Sequence, residues 1–294
     1  MTTPPPTAEA PRLGLGALGI IVRVLVAIGT LVIGNLVAGL LPVLVSLIPG
    51  AVDVFGGTSP WGFALALVVQ AAVLLVVVLA VRLWARWFER APIRAVGWRW
   101  ARRDALALFL GVTVAALTLL AVRALLPATG SVPEGASALG DQSAAPVPLL
   151  IAFYLGLAFL QQSIPEELLF RGWLLWSLRG RPVLAVTVVT LSFTAIHLVS
   201  NGGQQSAVEH VLYLALPLGF SLLATGLLLW TGSLWAAIGV HGGFHVGNYL
   251  ATAALPQVDA VLSWVAIGVV QATLGAVLVI VALARGRGIP DGRD

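Results

Sequence analysis

The chain has 294 residues, of which 59% are hydrophobic and only 10% charged, with a mean hydropathy of +1.01. Soluble globular chains are nearer half apolar and a quarter charged, so an ordinary cytosolic enzyme, a disordered chain, collagen and a coiled coil are all excluded. The net charge of +4 comes from sixteen basic residues that are all arginine, and many lie in one short segment, where they serve membrane topology rather than nucleic-acid binding. There is no cysteine, which removes disulfides, thiolate nucleophiles and Cys-ligated zinc or iron–sulfur sites.

The first dozen residues are Pro-rich and polar and read as a disordered tail. They show no basic stretch followed by a cleavage site, so the first span is expected to act as the insertion signal. Apolar runs then predict eight helices, near 14–41, 60–83, 104–126, 147–178, 182–200, 208–230, 232–254 and 260–284. The runs are almost continuous: between Ala64 and Val81 only Gln70 is polar. A transmembrane β-barrel would alternate polar and apolar residues. The expected fold is therefore all-α, a polytopic transmembrane helix bundle of about eight spans in a cell (plasma) membrane.

The fourth run is too long for one straight span and contains Pro165. Ser163-Ile164-Pro165-Glu166 has the form of a capping box, which predicts a break or kink and a restart near Pro165.

Arginines fix the expected orientation. Arg82, Arg86, Arg90, Arg94, Arg99, Arg102 and Arg103 fall between spans two and three or at their ends. Arg179 and Arg181 fall between four and five, and Arg285, Arg287 and Arg293 follow span eight. Under an eight-span count these share one side, so both termini are expected in the cytoplasm. The opposite loops carry Asp53, Glu134, Asp141, Glu209 and Asp259, with Arg123 nearby.

A charge at the bilayer centre costs about 3 kcal/mol on insertion scales, so ionisable residues inside spans are functional candidates. Here they are Arg23, Glu166, Glu167, Arg171, His197, His241 and His245. Arg23 is expected to snorkel or pair. Glu166 and Glu167 point about 100° apart on a helix. Glu167 and Arg171, spaced i, i+4, can pair, which leaves Glu166 as a free carboxylate able to take a proton from water. The alternative is that both glutamates neutralise Arg171 as a structural group. His197 is near the end of span five, with Phe193 one turn earlier; it could equally be a lone histidine satisfied by a helix-end carbonyl. His241, His245 and Asn248 share one face of span seven. Two histidines at i, i+4 can bind one metal; the alternative is a polar seam between helices. Gly242 and Gly243 leave room for a helix or a substrate. Glu209 and His210 read as surface residues. With about 1.5 Å rise per residue, Glu166, His197 and His241 lie about 18, 22 and 14 Å from the cytoplasmic ends of their helices. Similar depth on three helices argues for one shared intramembrane site.

These pieces, in order, resemble the CPBP family of intramembrane proteases, which includes type II CAAX prenyl endopeptidases and bacteriocin-immunity members. Glu166-Glu167-Leu-Leu-Phe-Arg171 matches EExxxR, and Phe193-Thr-Ala-Ile-His197 matches FxxxH. His241-Gly-Gly-Phe-His245 sits where the family has His followed four residues later by Asn or Asp. The resemblance spans roughly 147–254 and divides the chain into a tail (1–12), N-terminal spans with an Arg-rich loop (13–146), a protease-like core (147–254), a last span (255–284) and a C-terminal tail (285–294). It implies hydrolysis of a peptide bond within the membrane. Glu166 activates water with His197 assisting, Glu167 and Arg171 support the site, and His241 with residue 245 stabilises the oxyanion. His245 departs from the pattern; a neutral imidazole still donates one hydrogen bond. It could instead complete a metal set of Glu166, His197, His241 and His245, so a divalent metal such as zinc, or none, stays open. Asn248, one turn on, is another source of an amide.

Two other functions fit the residues: a non-catalytic immunity or scaffold protein, and a proton-coupled transporter, although no internal repeat is visible. The Lys-free, Arg/Ala/Val-rich composition points to a bacterium with a GC-rich genome, which argues for a membrane-associated peptide or protein substrate rather than prenylated proteins. Expected partners are membrane lipids and that substrate, with no nucleic acid.

Overall fold

In lipid no water satisfies backbone N–H and C=O groups, so apolar runs must close their own hydrogen bonds as helices. The computed structural model describes residues 11–56, 59–131, 145–200 and 202–292. Most of the expected N-terminal tail, together with Glu134, Asp141 and Arg293, lies outside the described residues. Among the described residues there is no strand, only an isolated bridge between Ala128 and Val258.

Eight long helices occur among the described residues: α1 (Ala17–Ser46), α2 (Pro60–Trp87), α3 (Arg102–Leu125), α4 (Val147–Ser177), α5 (Pro182–Val199), α6 (Ala207–Thr231), α7 (Leu234–Ala254) and α8 (Ala260–Ala284). Seven of them, all but α7, are long and apolar enough to cross a membrane; this is a multi-pass membrane protein. α7 has 21 residues, about 31 Å of helix, but His241, His245 and Asn248 lower its hydropathy. Local chemistry sets several starts. Ser59 accepts from Gly62 N–H ahead of Pro60, Ser233 accepts from Trp235 N–H and Asp259 from Leu262 N–H.

The ends of α2, α4, α6 and α8 gather at one face of the bundle. Gly292 N–H donates to Ala95 O at 3.1 Å, Arg179 pairs with Asp291 at 3.2 Å, and Arg287 donates to Trp230 O at 2.7 Å. The start of the chain joins them, since Arg12 N–H donates to Phe88 O at 2.8 Å. The three arginine-rich regions therefore share a face. At the opposite face Thr129 N–H, beyond α3, donates to Gln257 O, beyond α7, at 2.8 Å. α7 thus runs the height of the bundle beside α3.

The expected break in α4 is absent. Ser163 has helical φ −63° and ψ −50° and caps nothing; its hydroxyl donates instead to Ala158 O at 2.5 Å. The helix absorbs Pro165, which lacks an N–H, by widening into π-helix at Gly156–Ser163 and again at Leu168–Leu174. Gln70 of α2, buried in an apolar run, donates to Phe153 O at 3.3 Å where the first widening begins.

Residues 167–178 of α4 are buried on every side, as a helix at the centre of a bundle must be. Leu168, Leu169, Phe170, Trp173 and Leu174 anchor the main core cluster. α7 has two distinct faces. Gly239 and Gly243 press on α3, where a Cβ at Gly243 would collide with the Val112 backbone; small residues permit such contact in membranes. Of the two uses expected for that glycine, the structure shows helix packing. The other face carries His241 and His245.

Candidate active site

Glu166 and Glu167 lie on the one regular turn of mid-α4, Ile164–Glu167, held between the two widened stretches. Widened turns of this kind recur at functional sites. The two carboxylates diverge as expected. Glu167 points inward and is fully buried. Its Oε1 accepts from Arg171 Nη1 at 2.7 Å and from His241 Nδ1 at 3.1 Å. Arg171 is buried too, its guanidinium carbon 4.2 Å from the Phe193 ring centroid and 6.0 Å from that of Phe220. Those π faces add to what one carboxylate oxygen supplies.

Glu166 faces the other way, into a cavity of about 290 Å³ that it lines with His197, His241 and His245. Its Oε2 is buried and has no hydrogen-bond partner. The four side chains from α4, α5 and α7 that the sequence singled out thus meet in one place. Glu167 and Arg171 stand behind them.

His197 lines the cavity and also bonds a helix-end carbonyl. It follows the end of the α-helical part of α5, and its Nδ1 sits 2.8 Å from Phe193 O. A carbonyl only accepts, so Nδ1 carries the proton and a neutral ring keeps its Nε2 lone pair. The same logic applies to His241, whose Nδ1 donates to the Glu167 carboxylate. The His241 and His245 rings stack with centroids 5.1 Å apart. His245 Nε2 is buried without a partner. Asn248, one turn further along, is exposed and is not among the residues that line the cavity.

The four candidate metal ligands line one cavity, but among the described residues no three His, Asp or Glu side chains stand close enough to hold a metal ion. The Nδ1 atoms of His197 and His241 bond a carbonyl and a carboxylate, which leaves each Nε2 lone pair available to a hydrogen-bond donor or to a metal. The chemistry below uses protein groups alone.

A second, larger groove of about 770 Å³ opens between α1 and α5. Leu31, Val32 and Leu36 form one wall and Ile196 and Val199 the other, with Glu166 and His197 at its inner end. Val32 and Val199 are 52% and 91% exposed, so the groove faces what would be lipid. Glu166, His197 and Ser200 border both spaces.

Sequence reasoning missed Gln162, Tyr213, Phe220 and Phe244, which complete the cavity wall. Tyr213, Pro217 and Phe220 share a helical face at i, i+4 and i+7, a signal hidden by the apolar run around them. Arg23 pairs, as one of its two expected fates, with Glu89. Glu209 and His210 are half-buried and serve the start of α6 instead of the site. Glu209 Oε2 accepts from Gln205 N–H and His210 Nδ1 contacts Ser206 O.

Residues 148–247 match the family model described as type II CAAX prenyl endopeptidase Rce1-like. That stretch contains every residue named in the three motifs. No curated protein matches the chain.

Proposed function

We propose that this chain, whose central hundred residues carry a CAAX-type membrane protease family, is an intramembrane endopeptidase of the cell membrane. Its substrate is a membrane-associated peptide or protein. One observation carries the reading: the unpartnered carboxylate oxygen of Glu166 and the imidazole of His197 stand together where a polar cavity meets a lipid-facing groove.

Glu166 takes a proton from a water in the cavity, and the water oxygen attacks the scissile carbonyl carbon. The carbonyl oxygen becomes an oxyanion. The C–N bond then breaks, and the proton held by Glu166 passes to the leaving amine. The Nε2 lone pair of His197 accepts a hydrogen bond from the attacking water and orients it. His241 has committed its Nδ1 proton to Glu167, so its neutral Nε2 accepts rather than donates. The oxyanion donor that needs no extra proton is His245, through its unpartnered Nε2. Glu167 and Arg171 act through His241 as positioning residues.

The test is N-terminal peptide mapping of membranes from cells producing the native protein or Glu166→Gln at matched levels. New termini should appear only with the native protein, and in purified assays the variant should lose about 10³-fold or more in rate. Equal termini from both proteins, with both folded, would overturn the reading.

A further inference from the structure

A second concave site lies at the end of the bundle where the arginines gather. A pocket of about 600 Å³ is lined by Arg12, Arg82, Arg86 and Arg90, with Pro92 and Ile93 as an apolar floor. Two stretches of chain far apart in sequence build it. Arg82 and Arg86 are spaced i, i+4 on one face of the end of α2, and Arg90 lies three residues beyond that helix, which ends at Trp87. Arg12 arrives from the start of the chain, tied by its own backbone N–H to Phe88 O at 2.8 Å. Arg23 fastens that segment from behind, donating to Leu13 O at 2.9 Å and Gly14 O at 3.1 Å.

Among the described residues, Glu89 is committed away from the pocket. Both oxygens of Glu89 are taken by Arg23, at 2.8 and 2.9 Å, and the carboxylate is buried. No acidic side chain is among the described residues lining the pocket. Arg90 adds a special backbone, with φ 53°, the one positive value outside glycine among the described residues. Such conformations cost free energy and cluster at functional sites.

Depth identifies the ligand class. α2 has 28 residues, about 42 Å of helix against a hydrocarbon core of about 30 Å. Arg82 and Arg86 lie about 33 and 39 Å from its start, at the level of the lipid headgroups. Trp87 and Phe88, 55% and 37% exposed, mark the same level as an aromatic belt.

We propose that this pocket binds a phosphate group, and that its source is the headgroup of an anionic phospholipid. Guanidinium groups pair with phosphate oxygens through two parallel hydrogen bonds, and the apolar floor receives the glycerol end of the lipid.

The experiment uses the full chain, delipidated in detergent and returned to nanodiscs or vesicles of phosphatidylglycerol or phosphatidylcholine. Retained lipid is read by native mass spectrometry and the thermal midpoint. Phosphatidylglycerol should be retained and phosphatidylcholine not. Arg82→Gln with Arg86→Gln should weaken retention about 25-fold, about fivefold for each arginine near the surface. Arg102→Gln with Arg103→Gln removes the same charge from exposed positions at this end and should change retention less than about threefold. If the first pair fails to fold, Arg12→Gln with Arg82→Gln asks the same question from two segments.

Inorganic phosphate separates the sources. Failure of millimolar phosphate to displace the lipid supports the headgroup, whereas saturation of the pocket by phosphate alone would overturn the lipid as its source. Equal losses from both variant pairs, or equal retention of both lipids, would overturn the site.

Discussion

Among the described residues the bundle holds two buried arginine–glutamate pairs, and they are built differently. At the arginine-rich face, Arg23 uses every guanidinium nitrogen: Nε and Nη2 reach the two oxygens of Glu89, and Nη1 reaches Gly14 O and Gly19 O. Trp84 Nε1 adds a 3.3 Å bond to the same carboxylate. In the cavity wall, Arg171 spends one nitrogen on one oxygen of Glu167, and its Nε and Nη2 have no partner. Glu167 Oε2 is bare as well. A buried polar atom left unpaired costs about 1–3 kcal/mol, so folding alone would not choose the second arrangement. The saturated pair fastens α1 and the start of the chain to α2. The unsaturated pair holds His241 and meets the rest of its need through two aromatic faces.

Breaking each pair separates the two roles. The largest effect on stability belongs to Arg23→Met, which strands the buried Glu89 carboxylate and should cost about 3–5 kcal/mol, read by denaturation in detergent. Where the variant still folds, its cleavage rate should be near native. Removing both members at the cavity is the converse experiment. Arg171→Met with Glu167→Gln leaves no stranded charge, so stability should change by less than about 1.5 kcal/mol. Cleavage should fall about 10²-fold, in kcat rather than KM, because His241 loses the carboxylate that fixes its ring. A large loss of stability with intact kcat would show the cavity pair to be a fastener like the first.

This contrast also marks how far the sequence was legible. The pairing of Glu167 with Arg171 follows from i, i+4 spacing on one helix. The pairing of Arg23 with Glu89 joins residues 66 apart, and local patterning has no means to see it. Helix boundaries were readable because each span is long, apolar and punctuated by Pro, Ser or Gly. The fate of Pro165 was not: a capping pattern and a π-widened helix share the same residues, and the choice is made by what surrounds them. Here Gln70 of α2 reaches the Phe153 carbonyl and the bundle encloses the whole of residues 167–178. The cavity histidines were legible by type and depth. Tyr213 and Phe220 were not, since aromatics in an apolar span read as core until a neighbouring helix supplies polar groups.

Gln70 itself gives a smaller effect. Gln70→Leu removes the donor to Phe153 O and should cost about 1 kcal/mol in stability. If the widened stretch sets the direction of Glu166, kcat should also fall several-fold while KM holds. Loss of stability with unchanged kcat would confine Gln70 to packing.

The smallest expected change is at His245, where the family pattern has Asn or Asp. The Nε2 of His245 is buried and without a partner, and an asparagine amide supplies the same kind of donor. His245→Asn should therefore stay within about threefold of the native rate, while His245→Leu, which removes the donor, should lose about 10²-fold. A chelator separates this role from metal ligation. If His245 acts as a hydrogen-bond donor, strong chelation leaves both the native protein and His245→Asn unchanged. If it holds a metal with Glu166, His197 and His241, chelation abolishes native activity and His245→Asn loses affinity for the ion. The two roles also predict opposite rankings. A donor site tolerates Asn and rejects Leu, whereas a ligand site suffers from both, because imidazole nitrogen binds zinc far better than a neutral amide does.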